Sequence, residues 1–248
     1  MTPLLKVSGL TFSYGAAPLI KDLSFELRRG DFMCVLGPNG SGKSTLLKLL
    51  TGFIKPGAGT ASMGGEEAGR LPAGKLARLA AYVPSETSTP YDFTVRETVL
   101  LGRTALAGLW RGYTGEDVSS AELAMREAGI AGLAGRSVNE LSTGERQLVF
   151  IAQALAQEAK ILLLDEPTSH LDLRYKADIM ALLAGLARRG LAVLAVLHEP
   201  ALARLGCGKA LLLGRGGTYT CGPAGEMLSA RSLAAVYNLP EDSPLLPK

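Results

Sequence analysis

At 248 residues, 47% hydrophobic and 20% charged, the chain has globular composition and room for one large domain or a core with a subdomain. A net charge of +3 without any block of like charges excludes a nucleic-acid footprint, so no nucleic-acid partner is expected. The opening MTPLLKVSGLTFSYG lacks the pattern of a signal peptide, and apolar stretches such as Leu191–Leu197 fall far below the roughly 18 residues of a membrane span; a chain made in the cytosol is expected.

Leu23, Phe25 and Leu27 alternate with Ser24, Glu26 and Arg28, the period of a half-buried antiparallel strand. Phe32–Leu36 reads as a buried strand running into a glycine-rich turn, followed by a helix over Ser44–Thr51 that stops at Gly52. From about residue 88, helix-forming Ala, Leu, Glu and Arg replace β-branched runs, which predicts an inserted helical subdomain over about 88–160. Within it, Leu148, Ile151, Ala152 and Leu155 form the stripe of an amphipathic helix. Ile161–Leu164 and Leu191–Leu197 read as wholly buried strands, with a helix carrying Tyr175, Ile179, Leu182 and Leu186 between them. This alternation predicts an α/β core within a single domain over residues 1–240, with a loose, proline-rich tail over 241–248. Cys34, Cys207 and Cys221 lack paired spacing and are expected as buried, reduced thiols.

GPNGSGKST at Gly37–Thr45 fits the phosphate-loop pattern. Gly37, Pro38, Asn39, Gly40, Ser41, Gly42, Lys43, Ser44 and Thr45 are therefore the candidates for nucleotide binding. Glycines let backbone N–H groups turn toward phosphate oxygens, and a helix N-terminus adds its dipole. Lys43 supplies a charge for the β- and γ-phosphates, and the Ser44 hydroxyl can ligate Mg²⁺. A chance glycine-rich turn is the bland alternative, but the preceding strand and following helix are the context the motif needs.

Ile161–Leu164 ends in Asp165 and Glu166, which places both carboxylates at the carboxyl edge of the sheet, where ligands of open α/β sheets sit. Asp165 is the candidate Mg²⁺ carboxylate, and Glu166 the group that orients or deprotonates the attacking water. The competing reading makes Asp165 a cap on the turn into Pro167.

LSTGERQ at Leu141–Gln147 resembles the signature LSGGQ of the ATP-binding-cassette (ABC) family. The resemblance implies an ABC-type phosphate-loop NTPase core with an antiparallel β subdomain and an inserted helical subdomain. It also implies that Ser142 and Gly144 close over the γ-phosphate held by a second copy of the chain. By the same resemblance Tyr14 is the aromatic that stacks on adenine, Asp172 in SHLD (169–172) belongs to the loop joining the two sites, and His198 is the switch histidine at the γ-phosphate. Each has a plainer reading: a turn tyrosine, a helix N-cap and a core or capping histidine. Two positions depart from the family. Thr143 replaces the first signature glycine, and Ser85 in YVPS (82–85) replaces the glutamine that usually reaches Mg²⁺ and the attacking water; Glu86 or a bridging water are the candidate substitutes.

TPYDFTVRETVLLGR (89–103), GLWRGYTGED (108–117) and DEPTSHLDLRYK (165–176) are similar to the ATPases that drive uptake of ferric siderophores, haem and vitamin B12. This implies a Mg-dependent transport ATPase, peripheral on the cytoplasmic face of the plasma (inner) membrane. Its expected partners are integral membrane permease subunits and, indirectly, a substrate-binding protein. A soluble single-cassette ATPase of the iron–sulfur assembly type is the alternative. A monomeric kinase would have no use for Ser142–Gly144.

Overall fold

The computed structural model describes residues 2–87, 91–107 and 112–246. β1 (Leu5–Phe12) pairs antiparallel with β2 (Ile20–Leu27), so the alternation at Leu23, Phe25 and Leu27 is that of a strand with one buried face. β3 (Phe32–Leu36) is buried at all five positions, and α1 (Lys43–Leu50) starts one residue before the expected boundary. β4 (Ala58–Met63) and β5 (Glu66–Glu67) complete an antiparallel sheet of order β2-β1-β4-β5.

The chain then passes through α2 (Ala73–Leu79) and β6 (Ala80–Val83) into a run of helices: α3 (Val95–Leu100), α4 (Thr104–Ala107), α5 (Gly115–Glu127) and α6 (Thr143–Ala156). It continues through β7 (Ile161–Asp165), α7 (Leu173–Arg188), β8 (Ala192–Val196), α8 (Pro200–Ala203), β9 (Lys209–Leu213) and β10 (Tyr219–Pro223), and ends in α9 (Ala224–Met227) and α10 (Ala230–Tyr237). The second sheet has the order β10-β9-β3-β8-β7-β6, parallel throughout except for β10 against β9.

Both faces of this second sheet are covered, which explains its uninterrupted apolar strands. Met33, Val35, Leu163 and Leu194 pack with Leu46 and Leu47 of α1 and with Leu5, Leu23 and Leu27 of the antiparallel sheet. Cys34, Leu36, Leu162 and Leu164 point the other way, toward Ile151 of α6 and Ile179 of α7. α1 therefore lies between two sheets. Tyr219 links those sheets directly: its hydroxyl accepts from Ser24 N–H at 3.1 Å and donates to the Asp22 carbonyl at 3.1 Å.

Capping boxes start α3 (Thr94 with Glu97) and α5 (Thr114 with Asp117), each supplying acceptors for first-turn N–H groups. Arg103, 5% exposed, ties this helical region together from within, joining α5 to the end of α6. Its Nε donates to Asp117 Oδ1 at 3.0 Å, its guanidinium donates to the Ala156 carbonyl at 2.8 Å, and Glu158 lies 2.9 Å away. Of the segments similar to the importer ATPases, Thr89, Pro90 and residues 108–111 lie outside the described residues, as do residues 88, 247 and 248 of the expected subdomain and tail.

One expectation needs correction. Cys34 is buried and Cys207 half-buried, with a hydrogen bond to Cys34 and burial both pushing the Cys207 thiol upward, but Cys221 is exposed. It lies on β10, the sheet's outer strand, where only β9 is a neighbour. Toward the end of the chain Leu246 is buried against the core of the second sheet, while Glu241, Asp242, Pro244 and Leu245 are exposed. Among the described residues no helix is long and apolar enough to cross a membrane.

Candidate nucleotide-binding and hydrolysis site

The site begins where β3 ends. Gly37 is packed so closely against the neighbouring strand that a Cβ there would lie 2.1 Å from the Leu213 carbonyl oxygen. Only glycine lets the chain leave the sheet at this point. The loop curls back, with Ser41 N–H donating to the Pro38 carbonyl at 3.2 Å, and Gly42, at φ 96°, starts α1 from a left-handed conformation. Lys43 Nζ donates to the carbonyls of Gly37 at 2.9 Å and Pro38 at 3.1 Å, so its charge is held inside the curl of the loop. Burial lowers the Lys43 pKa, while Glu166 and Asp165 oppose the shift by favouring the charged form.

Several features fit a phosphate group in this cradle. The first turn of α1 has N–H groups with no intrahelical acceptor. Ser41, 2% exposed, has a buried hydroxyl oxygen with no hydrogen-bond partner among the described residues. Asn39 and Gly40 form the exposed rim, Pro38 is half-buried, and Thr45 sits one residue behind Ser44 on α1. Tyr14 is 69% exposed, stands edge-on to Phe12 at 4.8 Å between ring centroids, and places its hydroxyl 3.5 Å from Thr45 Oγ1. An exposed aromatic at the mouth of the loop suits stacking better than core packing.

Across the loop, Ser44 Oγ donates to Asp165 Oδ1 at 3.1 Å, joining α1 to the end of β7. Burial raises the Asp165 pKa, and the nearby Glu166 pushes the same way; the Ser44 and Tyr82 hydrogen bonds and Lys48 pull it down. A hydroxyl and a carboxylate at this separation form an oxygen donor set suited to a hard divalent cation. Tyr82 was missed in the sequence. It stands beside Leu163 in β6, and its hydroxyl lies 3.4 Å from Asp165 Oδ2. Burial and the negative Asp165 push the Tyr82 hydroxyl up to about 12, so it remains a proton donor.

Glu166 lies just past β7 with φ 52°, a left-handed conformation that L-residues adopt only when their surroundings hold them there. Its two oxygens have separate partners: His198 Nε2 is 2.6 Å from Oε1, and Ser169 Oγ donates to Oε2 at 3.1 Å. His198, two residues beyond β8, is thus brought onto Glu166 by the parallel pairing of β7 with β8. Ser169 opens the SHLD segment, but its contact with Glu166 was not foreseen in the sequence, though the i+3 spacing was a local signal.

Ser142, Gly144 and Asp172 form a separate constellation. Ser142 caps α6, accepting from Glu145 N–H at 3.3 Å and donating to Glu145 Oε2 at 2.8 Å. Thr143 is exposed at the first helical position, where its side chain meets no packing constraint. Gly144 carries that constraint instead, because a Cβ there would lie 2.3 Å from the Tyr175 ring. Asp172 caps α7, accepting from Tyr175 N–H at 3.0 Å. Ser85 and Glu86, beyond β6, are both exposed.

The ABC transporter family pattern matches residues 20–169, from β2 through the phosphate loop to the turn beyond Glu166. The chain belongs to the ABC transporter family. Over 237 residues this ABC chain is 38% identical to the hemin import ATP-binding protein HmuV of Streptomyces coelicolor, a match covering 96% of the chain and 84% of HmuV. It is 36% identical over 236 residues to the ferric enterobactin transport ATP-binding protein FepC of Escherichia coli, covering 95% and 87%. The uncharacterized ABC transporter ATP-binding protein YvrA of Bacillus subtilis is 38% identical over 239 residues; the chain spans about half of its length (53%). Among solved structures, one described as an inward-facing metal-chelate type ABC transporter superposes with a TM-score of 0.87 at 33% identity, covering 96% of this chain and 90% of that one. A bacterial ABC transporter cassette solved as a dimer gives 0.75 at 27% identity, covering 89% and 98%.

Proposed function

We propose that this chain is the ATP-hydrolysing subunit of an ABC importer for iron chelates, haem or cobalamin, working as a dimer beneath a membrane permease. The observation that carries the reading is the convergence of three elements: Lys43 and Ser44 from α1, Asp165 and Glu166 from the end of β7, and His198 from beyond β8. The names of HmuV and FepC support the importer branch.

In this reading the loop from Gly37 to Thr45 and the start of α1 bind the triphosphate, and Tyr14 stacks on the base. Ser44 and Asp165 would hold Mg²⁺, which would supply positive charge against that developing on the phosphate. Glu166, held between His198 and Ser169, accepts the proton of the attacking water. His198 keeps that carboxylate aimed and reaches the γ-phosphate. Ser142 and Gly144 of the second copy complete each site, and Asp172 belongs to the loop that passes between the sites. The helices over about 88–160 form a subdomain that receives the permease, and the substrate-binding protein acts only through that permease. The chain sits at the cytoplasmic face of the inner membrane without crossing it.

The test is affinity purification from detergent-solubilised membranes of the native organism, followed by mass spectrometry. A co-purifying polytopic permease supports the importer reading, and its identity narrows the cargo. Recovery of soluble iron–sulfur assembly proteins alone would keep the ATPase and overturn the transporter.

A further inference from the structure

Tyr175 makes an unusual contact for a residue outside the motifs. Its ring lies directly against the backbone of the signature turn: a Cβ at Gly144 would fall 2.3 Å from Cγ, 2.4 Å from Cδ2 and 2.7 Å from Cδ1. Three ring atoms at such distances mean that the Gly144 Cα rests on the ring itself. Glycine is therefore demanded here by this chain's own tyrosine, before any ligand is considered.

The other side of Tyr175 leads to the hydrolytic carboxylate. Its backbone N–H donates to Asp172 Oδ1 at 3.0 Å. Asp172 closes a short turn that begins at Ser169, whose N–H donates to the Glu166 carbonyl at 3.1 Å and whose hydroxyl donates to Glu166 Oε2 at 3.1 Å. Between them His170 is locked at φ 61° and Leu171 is buried, so the turn has little freedom to absorb a displacement. The half-buried Tyr175 ring packs on the same core as Leu171 and Val149 of α6, which fixes it from behind. A continuous set of contacts thus runs from Glu166 through Ser169, Asp172 and Tyr175 to Gly144.

We propose that Tyr175 is a positioning residue that couples the Glu166 turn of one nucleotide site to the signature turn that this chain presents to the other. The inference rests on the dimer reading given above. Close packing makes such a link stiff: a ring held against a backbone on one side and a core on the other transmits a displacement. A shift of Glu166 and Ser169 when the γ-phosphate is bound or lost is passed through Tyr175 to Gly144, and so to the partner's nucleotide.

The test uses the full-length chain carrying Glu166→Gln, in which ATP is bound without turnover, and reads ATP-driven dimerisation by light scattering. Adding Tyr175→Ala is expected to raise the ATP concentration for half-maximal dimer about tenfold, as for the loss of a contact within a coupled unit. ADP affinity, which reports on the phosphate loop of a single chain, should stay within about twofold, and it also verifies that the variant is folded. Tyr175→Phe, which keeps the ring, should restore dimerisation. A double-mutant cycle guards against a general loss of structure: Gly144→Ala abolishes dimerisation while Tyr175 is present, and adding Tyr175→Ala should recover part of it by removing the clash. If Tyr175→Ala dimerises at the same ATP concentration as its parent, the coupling inference is wrong and the dimer stands. If the Glu166→Gln parent itself stays monomeric with ATP, the dimer reading fails and this inference fails with it.

Discussion

His198 Nε2 and Glu166 Oε1 are 2.6 Å apart, so the histidine beyond β8 holds one oxygen of the carboxylate beyond β7 while Ser169 holds the other. The Glu166 carboxylate is gripped on both sides and has little rotational choice. Replacing His198 by alanine leaves Ser169 as the remaining grip among the described residues. The expected result is a kcat lower by about 100-fold, the usual scale for a residue that orients a catalytic proton acceptor, with the KM for ATP nearly unchanged. Steady-state hydrolysis decides it; an unaltered kcat would remove His198 from the mechanism.

Glu166→Gln preserves shape and removes the basic oxygen. Hydrolysis should fall by about 100-fold or more while ATP affinity persists. Single-turnover hydrolysis together with equilibrium ATP binding separates the two effects, and a variant that hydrolyses at the wild-type rate would disqualify Glu166 as the base.

Lys43→Ala removes the charge that the loop curls around. Because, among the described residues, Lys43 Nζ is bonded to the Gly37 and Pro38 carbonyls alone, the substitution should spare the fold while weakening ATP binding by about 100-fold, the scale of a lost charge-assisted phosphate contact. Calorimetric titration measures the affinity, and a retained Tm confirms the fold. Wild-type affinity in a folded variant would contradict the assignment of the loop.

Arg103→Ala strips the buried partner from Asp117 and releases the Ala156 carbonyl. Losing one charged partner of a buried carboxylate is destabilising, and Tm should drop by about 5 °C. The same pair predicts an acid response. Hydrogen bonds from the Thr114 backbone and side chain, then from Arg103, hold Asp117 down at about 2, below its ordinary value. A depressed carboxylate contributes stability that is complete above the unfolded-state value near 4 and is lost as pH falls toward 2. The Tm of Asp117→Asn should therefore lie below wild type at pH 7 and converge with it near pH 2. A constant gap across that range would refute the linkage.

What could be read from the sequence was what is local in it. The cradle at Gly37–Thr45 and the Asp165–Glu166 pair were legible because the chemistry there needs fixed short spacings between a strand and a helix. β3 and β7 were legible because full burial on both faces leaves only apolar residues. Tyr82 was not, since its meeting with Asp165 depends on β6 lying next to β7, and sheet order is not written in any one segment. The same holds for the Tyr175 ring under Gly144. Thr143 is the altered signature position, yet it is exposed, and the packing constraint falls on its neighbour Gly144. Cys221 was misjudged because an outer strand has the same composition as an inner one while having a neighbour on one side only.

The position of β3 also bears on how the protein is made. Its neighbours are β8 and β9, drawn from residues 192–196 and 209–213, and Gly37 turns against the Leu213 carbonyl itself. The phosphate-binding sequence leaves the ribosome well before β8 and β9, the strands that shape it. Pairings this distant in sequence form late and slowly. A nascent chain that stops short of Leu213 therefore carries the nucleotide motif without the strand that walls its first turn.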